Sequence, residues 1–273
     1  MKKYNLRLIL YLSLILSICL MSALAEVIAP FEPNEVSIEN RLEGGNEKNL
    51  LGTDALGRDL LSRILYGGRS SILLALVSST LSMVVGIFLG ILSGYYGGFL
   101  DTLITGVGNI FQGIPSTAFM IALAGIFNGG IPVLLLGLLL ISWTSYARIA
   151  RVETMKLKEE EFIDGLKMTG CSEISIMFKH IFPNFLPNTI VLFTTRIGRS
   201  LLTIASLSYL GFGIKPPTPD WAIMIFDARM NFRSHPQLLI LPGIPLATLL
   251  WSLNMLGDSL RDYFDKRSME LKN

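Results

Sequence analysis

The sequence predicts an all-α membrane protein with six transmembrane helices, and three observations carry that prediction. Of 273 residues, 51% are hydrophobic and only 16% are charged, which is the composition of a polytopic membrane chain. Between Arg69 and Arg148 lies one charge, Asp101. A helical span needs about 20 apolar residues, so this interval holds three of them. The breaks between them fall at Gly94-Tyr95-Tyr96-Gly97-Gly98 and at Asn128-Gly129-Gly130-Ile131-Pro132, where glycine and proline favour turns.

Taken from the start, Met1 to Arg7 carries Lys2, Lys3 and Arg7 and precedes the uncharged run Leu8 to Ala25. A cleaved signal peptide ending at Ala23-Leu24-Ala25 would read the same way. A retained first span is preferred, because the apolar run is long for a signal and the chain beyond it is itself membrane-embedded. Residues 26 to 69 are polar and broken by Pro30, Pro33 and Gly44-Gly45. Their last part, Leu51 to Arg69, is predicted to be an amphipathic surface helix with Leu56, Leu60, Leu61, Ile64 and Leu65 on one side. Asp59 and Arg63 are expected to form an i,i+4 pair, and Asp54 to cap the turn at Gly57.

Spans two to four are placed near residues 70 to 93, 101 to 124 and 131 to 147. Gly86, Gly90, Gly94, Gly106, Gly108 and Gly113 recur along them and permit close helix contact. The Gly86 to Gly90 spacing is read as ordinary packing rather than as a dedicated dimer face.

Next comes the long amphipathic segment Glu161 to Asn184. Residues Glu159 to Met168 form a short helix with Phe162, Ile163 and Leu166 on one face and Glu160, Asp164 and Lys167 on the other. Gly170 stops it in the left-handed conformation that closes helices. Ser172 caps a second helix that begins with Glu173, carries Ile174, Met177, Phe178 and Ile181 along one side, and is expected to end at Pro183. Such a hairpin fits either the bilayer surface or a groove on a soluble partner.

A fifth span, Leu186 to Leu207, contains Arg196 and Arg199 three residues apart, hence on one face and roughly at mid-depth. Charges there are costly by a few kcal/mol and usually face a partner or a water-filled path. The readings left open are a polar wall of a translocation pathway that attracts carboxylates, pairing of one or both with acids of a partner subunit, or a shifted span that leaves them near its end. Ser208 to Pro236 is an outer loop, in which Asp220 caps a short helix with Trp221, Met224, Ile225 and Phe226 at the membrane interface. The last span runs from Leu238 to Leu256. The division expected is residues 1–69 as a first helix plus an external segment, 70–267 as a five-helix core with the hairpin at 159–184, and 268–273 as a tail.

Lys and Arg number 13 in the N-terminus, residues 148–184 and the C-terminus together, against 8 in the two intervening polar segments. That bias puts both termini and the hairpin in the cytoplasm. The net charge of +2 and the lack of a basic run exclude nucleic acid. Cys19 and Cys171 have no route to each other, and neither a disulfide framework nor a CxxC metal site is available. Walker A, HExxH and GxSxG patterns and His/Cys clusters are absent from the sequence. His180 is therefore assigned a docking or structural role and His235 an interfacial one; the chain is not itself an enzyme and holds no metal.

Four stretches carry a family resemblance. Leu51 to Arg69 matches the signature LGTDxLGRDxLSRxxYGxR at all 14 specified positions, and so resembles the second permease subunit of dipeptide, oligopeptide and nickel ABC importers. The run from Glu161 is similar to the cytoplasmic EAA loop of such permeases through Asp164, Gly165, Gly170 and Pro183, with Leu166 in place of the second small residue and Lys179 to Asn184 resembling the usual ending. SYLGFGIKPPTPDW and the closing GDSLRDYFDKR resemble two further motifs, so the likeness covers residues 51 to 267. It implies a type I ABC-importer permease fold in a bacterial inner membrane. Partners implied besides lipid are a homologous permease in a heterodimer, two cytoplasmic subunits that bind ATP and Mg, and an extracytoplasmic solute-binding protein. Glu161, Asp164, Gly165, Gly170, His180 and Pro183 would dock the ATPase. The family's substrates are short peptides or nickel and metal chelates, and the WAIMIFDAR run leans towards the nickel branch. A standalone channel or secondary carrier is the alternative, though neither intramembrane acids nor an internal repeat supports it. An intramembrane enzyme would need catalytic motifs.

Overall fold

A computed structural model describes residues 2–270, and every named element among them is helical. In order these are α1 (Lys2–Ala23), α2 (Ala25–Ile28), a 3₁₀ turn (Ile38–Asn40), α3 (Leu60–Tyr96), α4 (Gly98–Gly113), α5 (Ser116–Ile126), α6 (Ile131–Lys158), α7 (Glu161–Met168) and α8 (Glu173–Ser175). A π-helical turn, Ile176–Ile181, leads into α9 (Phe182–Tyr209), followed by α10 (Trp221–Ala228) and α11 (Gln237–Glu270). Five helices are long and apolar enough to span a membrane, and the bent pair α4 and α5 makes a sixth crossing if counted as one span.

The packing of α3 on α6 decides that question. Gly86, Gly90 and Gly94 form one row on α3, and a Cβ at these positions would lie 2.3, 2.4 and 2.6 Å from the backbone oxygens of Trp143, Ala147 and Arg151. Side chains are excluded there, so the glycines serve the chain's own packing. Contacts also advance in the same direction along both helices, so α3 and α6 are parallel. The chain must then cross back between them, and α4 with α5 is the only segment that does so. Antiparallel α9 and α11 meet where Gly198 lies against Leu253 and Gly257 against Thr195. The start of α1, the end of α11 and the α7 hairpin consequently share one end of the bundle, labelled the inner end, and α10 with the loop before α3 lies at the opposite end, labelled the outer end.

Several expectations are corrected. Residues 51–69 are not a surface helix. The stretch before Leu60 is a tight loop, and Leu60 onward is the first part of α3, which runs unbroken into the second span. Asp59 does not pair with Arg63: it is the N-cap, accepting bonds from the Ser62 amide at 2.8 Å and the Ser62 hydroxyl at 2.7 Å. Arg63 instead donates to the Pro33 carbonyl at 3.0 Å and lies 3.5 Å from Asp54. Asp54 does close the turn at Gly57, accepting from the amides of Leu56 and Arg58 at 2.8 and 3.0 Å.

The third span is not straight, since α4 and α5 meet at 87° about Ile114-Pro115; Pro115 disfavours helix at the residue before it. Pro183 does not end the hairpin's second arm. The π turn carries the backbone past it, with the Phe182 amide bonded five residues back to Met177, so Pro183 falls in the first turn of α9, where its missing N–H costs little. Trp221 is not interfacial: it is 2% exposed, packed on Gly67 and Gly68, and its Nε1 donates to the Ile64 carbonyl at 2.8 Å. The expected cap holds, since Asp220 accepts from the amides of Ala222 and Ile223 at 3.0 and 3.1 Å. Of the expected tail, residues 271–273 lie outside the described residues.

Candidate functional site

The inner-end hairpin is built from two short arms and a glycine turn. Helix α7 ends in a Schellman motif: the Cys171 amide reaches back to the Leu166 carbonyl at 3.1 Å and the Gly170 amide to Lys167 at 3.0 Å. That closure needs φ of +75° at residue 170, and Gly170 supplies it. Ser172 then caps the second arm by accepting from the Ser175 amide at 3.4 Å.

The inner face of the hairpin is anchored. Ile163, Ile176, Met177 and Ile181 are at most 1% exposed and pack with Ile87, Ile91 and Tyr95 of α3 and Tyr146 of α6. Phe178 stacks on Phe88, and the Tyr96 hydroxyl donates to Glu173 at 3.0 Å. The outer face is open. Glu161, Asp164, Gly165 and Gly170 are all exposed, and a Cβ on either glycine would meet nothing within 4 Å. Lys167 donates to Asp164 at 2.9 Å, and that hydrogen bond to the carboxylate raises the Lys167 pKa. His180, half-buried, and Pro183, exposed, sit instead on the π turn and the start of α9.

Sequence periodicity misassigned part of the greasy face. Phe162 and Ile174 are 46% and 69% exposed and Met168 is 89% exposed, giving an apolar crest on the open side. The signal was available in α7, where Phe162 and Ile163 are adjacent and point apart by about 100° on a helix.

The fifth-span arginines part company. Arg196 is half-buried and donates to the Ser145 hydroxyl on α6, whereas Arg199 is exposed. Neither forms an ion pair among the described residues. Thr195, Arg199, Thr203 and Ser206 follow one another at helical spacing on α9, and Asn188 extends the line towards the inner end, where it donates to Glu153 of α6 at 3.1 Å. This polar stripe, beyond its arginine, went unnoticed in the sequence because each member is unremarkable by itself. Among the described residues no group of three or more His, Cys, Asp or Glu is placed to hold a metal ion.

Comparison with known proteins agrees with this arrangement. Residues 86–270 match the family model described as "Binding-protein-dependent transport system inner membrane component". The chain is 37% identical to the dipeptide transport system permease protein DppC of Haemophilus influenzae, covering 97% of this chain and 92% of that one. It is 34% identical to the glutathione transport system permease protein GsiD of Pectobacterium atrosepticum, covering 89% and 81%. Among solved structures, an inward-facing conformation of the MetNI methionine ABC transporter superposes with a TM-score of 0.59 at 16% identity, covering 73% of this chain and 95% of that one, which shows the fold. The chain therefore belongs to the family of binding-protein-dependent inner-membrane transport components, as a non-enzymatic permease subunit of an ABC importer.

Proposed function

We propose that this chain forms, with a related permease subunit as a heterodimer, the pathway for short peptides, driven by two cytoplasmic ATPases and fed by an external binding protein. The ATPases hold the ATP and Mg, and both termini and the hairpin face them in the cytoplasm, as the Lys and Arg distribution favours. Residues 70–267 form the transport core and 1–69 an addition to it. Peptides are preferred to nickel because the relatives reported above are named for dipeptide and glutathione transport.

The observation that carries the coupling is the uninterrupted run from the hairpin into the membrane. Glu173 to Tyr209 is 37 residues of continuous helix, roughly 55 Å at about 1.5 Å per residue. An ATPase that grips Glu161, Asp164, Gly165 and Gly170, with His180 and Pro183 behind them, moves one end of a rod that carries Arg196 and Arg199 further along its length, inside the span. Closure of the ATPase pair thus reorients the arginine-bearing wall, an alternating-access cycle. Arg199 is exposed within a span and without an acid, which suits a water-filled path and a peptide carboxylate.

The test is uptake of a labelled dipeptide against nickel with histidine, in cells with and without the chain. Loss of dipeptide uptake alone is expected; loss of nickel uptake alone would overturn the peptide assignment. Arg199→Ala should cut dipeptide uptake at least tenfold while the ATPase still co-purifies, and normal uptake would remove Arg199 from the pathway.

A further inference from the structure

At the outer end, the loop from Arg41 to Arg58, the start of α3, α10 with the residues after it, and the start of α11 line a cavity of about 400 Å³. We propose that this cavity receives an acidic side chain from the solute-binding protein, and that the same protein covers the apolar residues around its rim. The proposal rests on the importer reading above and assigns that partner its contact on this chain.

Charge is the first argument. The walls carry four guanidiniums, from Arg41, Arg58, Arg63 and Arg229, and two carboxylates, from Asp54 and Asp227. Asp54 is fully engaged, at 2.7 Å from Arg58 Nε and with its other oxygen held by two amides. Asp227 reaches Arg58 only at 3.8 Å. Arg41 and Arg229 form no ion pair among the described residues, whereas Arg63, 2% exposed, faces Asp54 at 3.5 Å. The site therefore has a surplus of positive charge, carried by exposed Arg41 and Arg229. A carboxylate offsets it, and guanidinium is the group best matched to that ligand.

The rim decides what kind of molecule brings that carboxylate. Leu56 and Met230, which line the cavity, are 47% and 81% exposed, and Ile38 and Phe232, the latter next in sequence to the lining residue Asn231, are 76% and 51% exposed; all lie outside the spanning helices. The Ser37 amide bonds to the Leu56 carbonyl at 3.2 Å, which sets Ile38 beside Leu56, while Met230 lines the cavity directly. Arg229 lines the cavity and is laid against the Phe226 ring, 3.5 Å from its centroid. Arginine, methionine and aromatic residues around a concave centre are the make-up of a protein–protein hot spot. A small free anion would leave the rim bare.

The experiment uses the whole importer in nanodiscs with its binding protein loaded with a dipeptide, reading the binding-protein concentration that gives half-maximal ATPase stimulation. Arg229→Glu and Arg41→Glu lie at exposed positions, so co-purification of the ATPase serves as the folding check. Each is expected to raise that concentration at least tenfold at low salt and to flatten its salt dependence, while Arg229→Lys restores most of it. An unchanged concentration would overturn the proposal. So would a defect that vanishes when anionic lipid is replaced by phosphatidylcholine, which would make the cavity a lipid site. If the wild-type importer is not stimulated by any binding protein, the importer reading itself fails, and this inference with it.

Discussion

The outer and inner ends of this molecule both carry family signatures, yet they use them in opposite ways. At the outer end the signature turns inward. Asp59, Arg63 and Ser62 are at most 3% exposed, Asp220 is 1% exposed and bonded to Ser71, and Trp221 closes over α3. Burial pushes the Asp220 carboxyl up, against the bonds from Ser71 and the α10 amides that hold it down. At the inner end the signature turns outward: Asp164, Gly165 and Gly170 are exposed, and a Cβ added at either glycine would meet nothing within 4 Å. The difference teaches that a dense motif marks architecture when its polar groups satisfy one another, and leaves a surface free for a partner, such as the ATPase proposed above, when they are left open.

Substitutions sharpen that contrast, beginning where the outer end is most committed. Trp221→Ala removes a fully buried indole and its hydrogen bond to Ile64, and should cost about 3–5 kcal/mol, seen as a large fall in the melting temperature of the purified subunit. Asp59→Ala leaves the Ser62 amide, the Ser62 hydroxyl and the Asn49 side chain without their acceptor. It should cost about 1–3 kcal/mol by the same measurement. If either variant melted like wild type, the outer network would not be structural.

Much of this was legible in the sequence, and the misses share a cause. Apolar runs marked the spans, Gly170 marked the hairpin turn and Asp220 the cap of α10, because each rests on local backbone chemistry. What failed depended on partners distant in sequence. Arg63 looked like a solvated surface charge, but its acceptor is a carbonyl thirty residues upstream. Trp221 looked like an interfacial aromatic, but two glycines on α3 leave a bed for it. Pro183 looked like a stop until one π turn took up the missing amide. Arg196 and Arg199 looked like a pair on one face, and packing against α6 claimed only the first.

At the inner end smaller changes should separate stability from function. Gly165 is an internal glycine of α7 with open space where a Cβ would go, so nothing in this chain requires it. Gly165→Ala should raise the stability of the isolated subunit by about 0.5–1 kcal/mol. If a partner's surface approaches that point, the same methyl group should weaken co-purification with the ATPase. Tighter association together with higher stability would remove Gly165 from the docking surface.

Asp164→Lys should have the least effect on stability and the sharpest effect on coupling. The pair it breaks, with Lys167, is a solvent-exposed i,i+3 contact at 2.9 Å with Asp164 63% exposed, and such pairs are worth a few tenths of a kcal/mol. Reversing a first-turn charge adds a similar penalty from the helix dipole, so the melting temperature should move by a degree or two at most. Buried Ile163 and the Tyr96 to Glu173 tether stay in place, and the hairpin keeps its shape. A docking surface reads charge directly, however, and a reversed sign opposite a partner costs far more than a lost surface pair. ATPase co-purification and dipeptide uptake should therefore both collapse in a protein that folds normally. If uptake and association survived, the exposed acid of the hairpin would be solvated decoration, and the inner end would couple through its apolar crest of Phe162, Met168 and Ile174 instead.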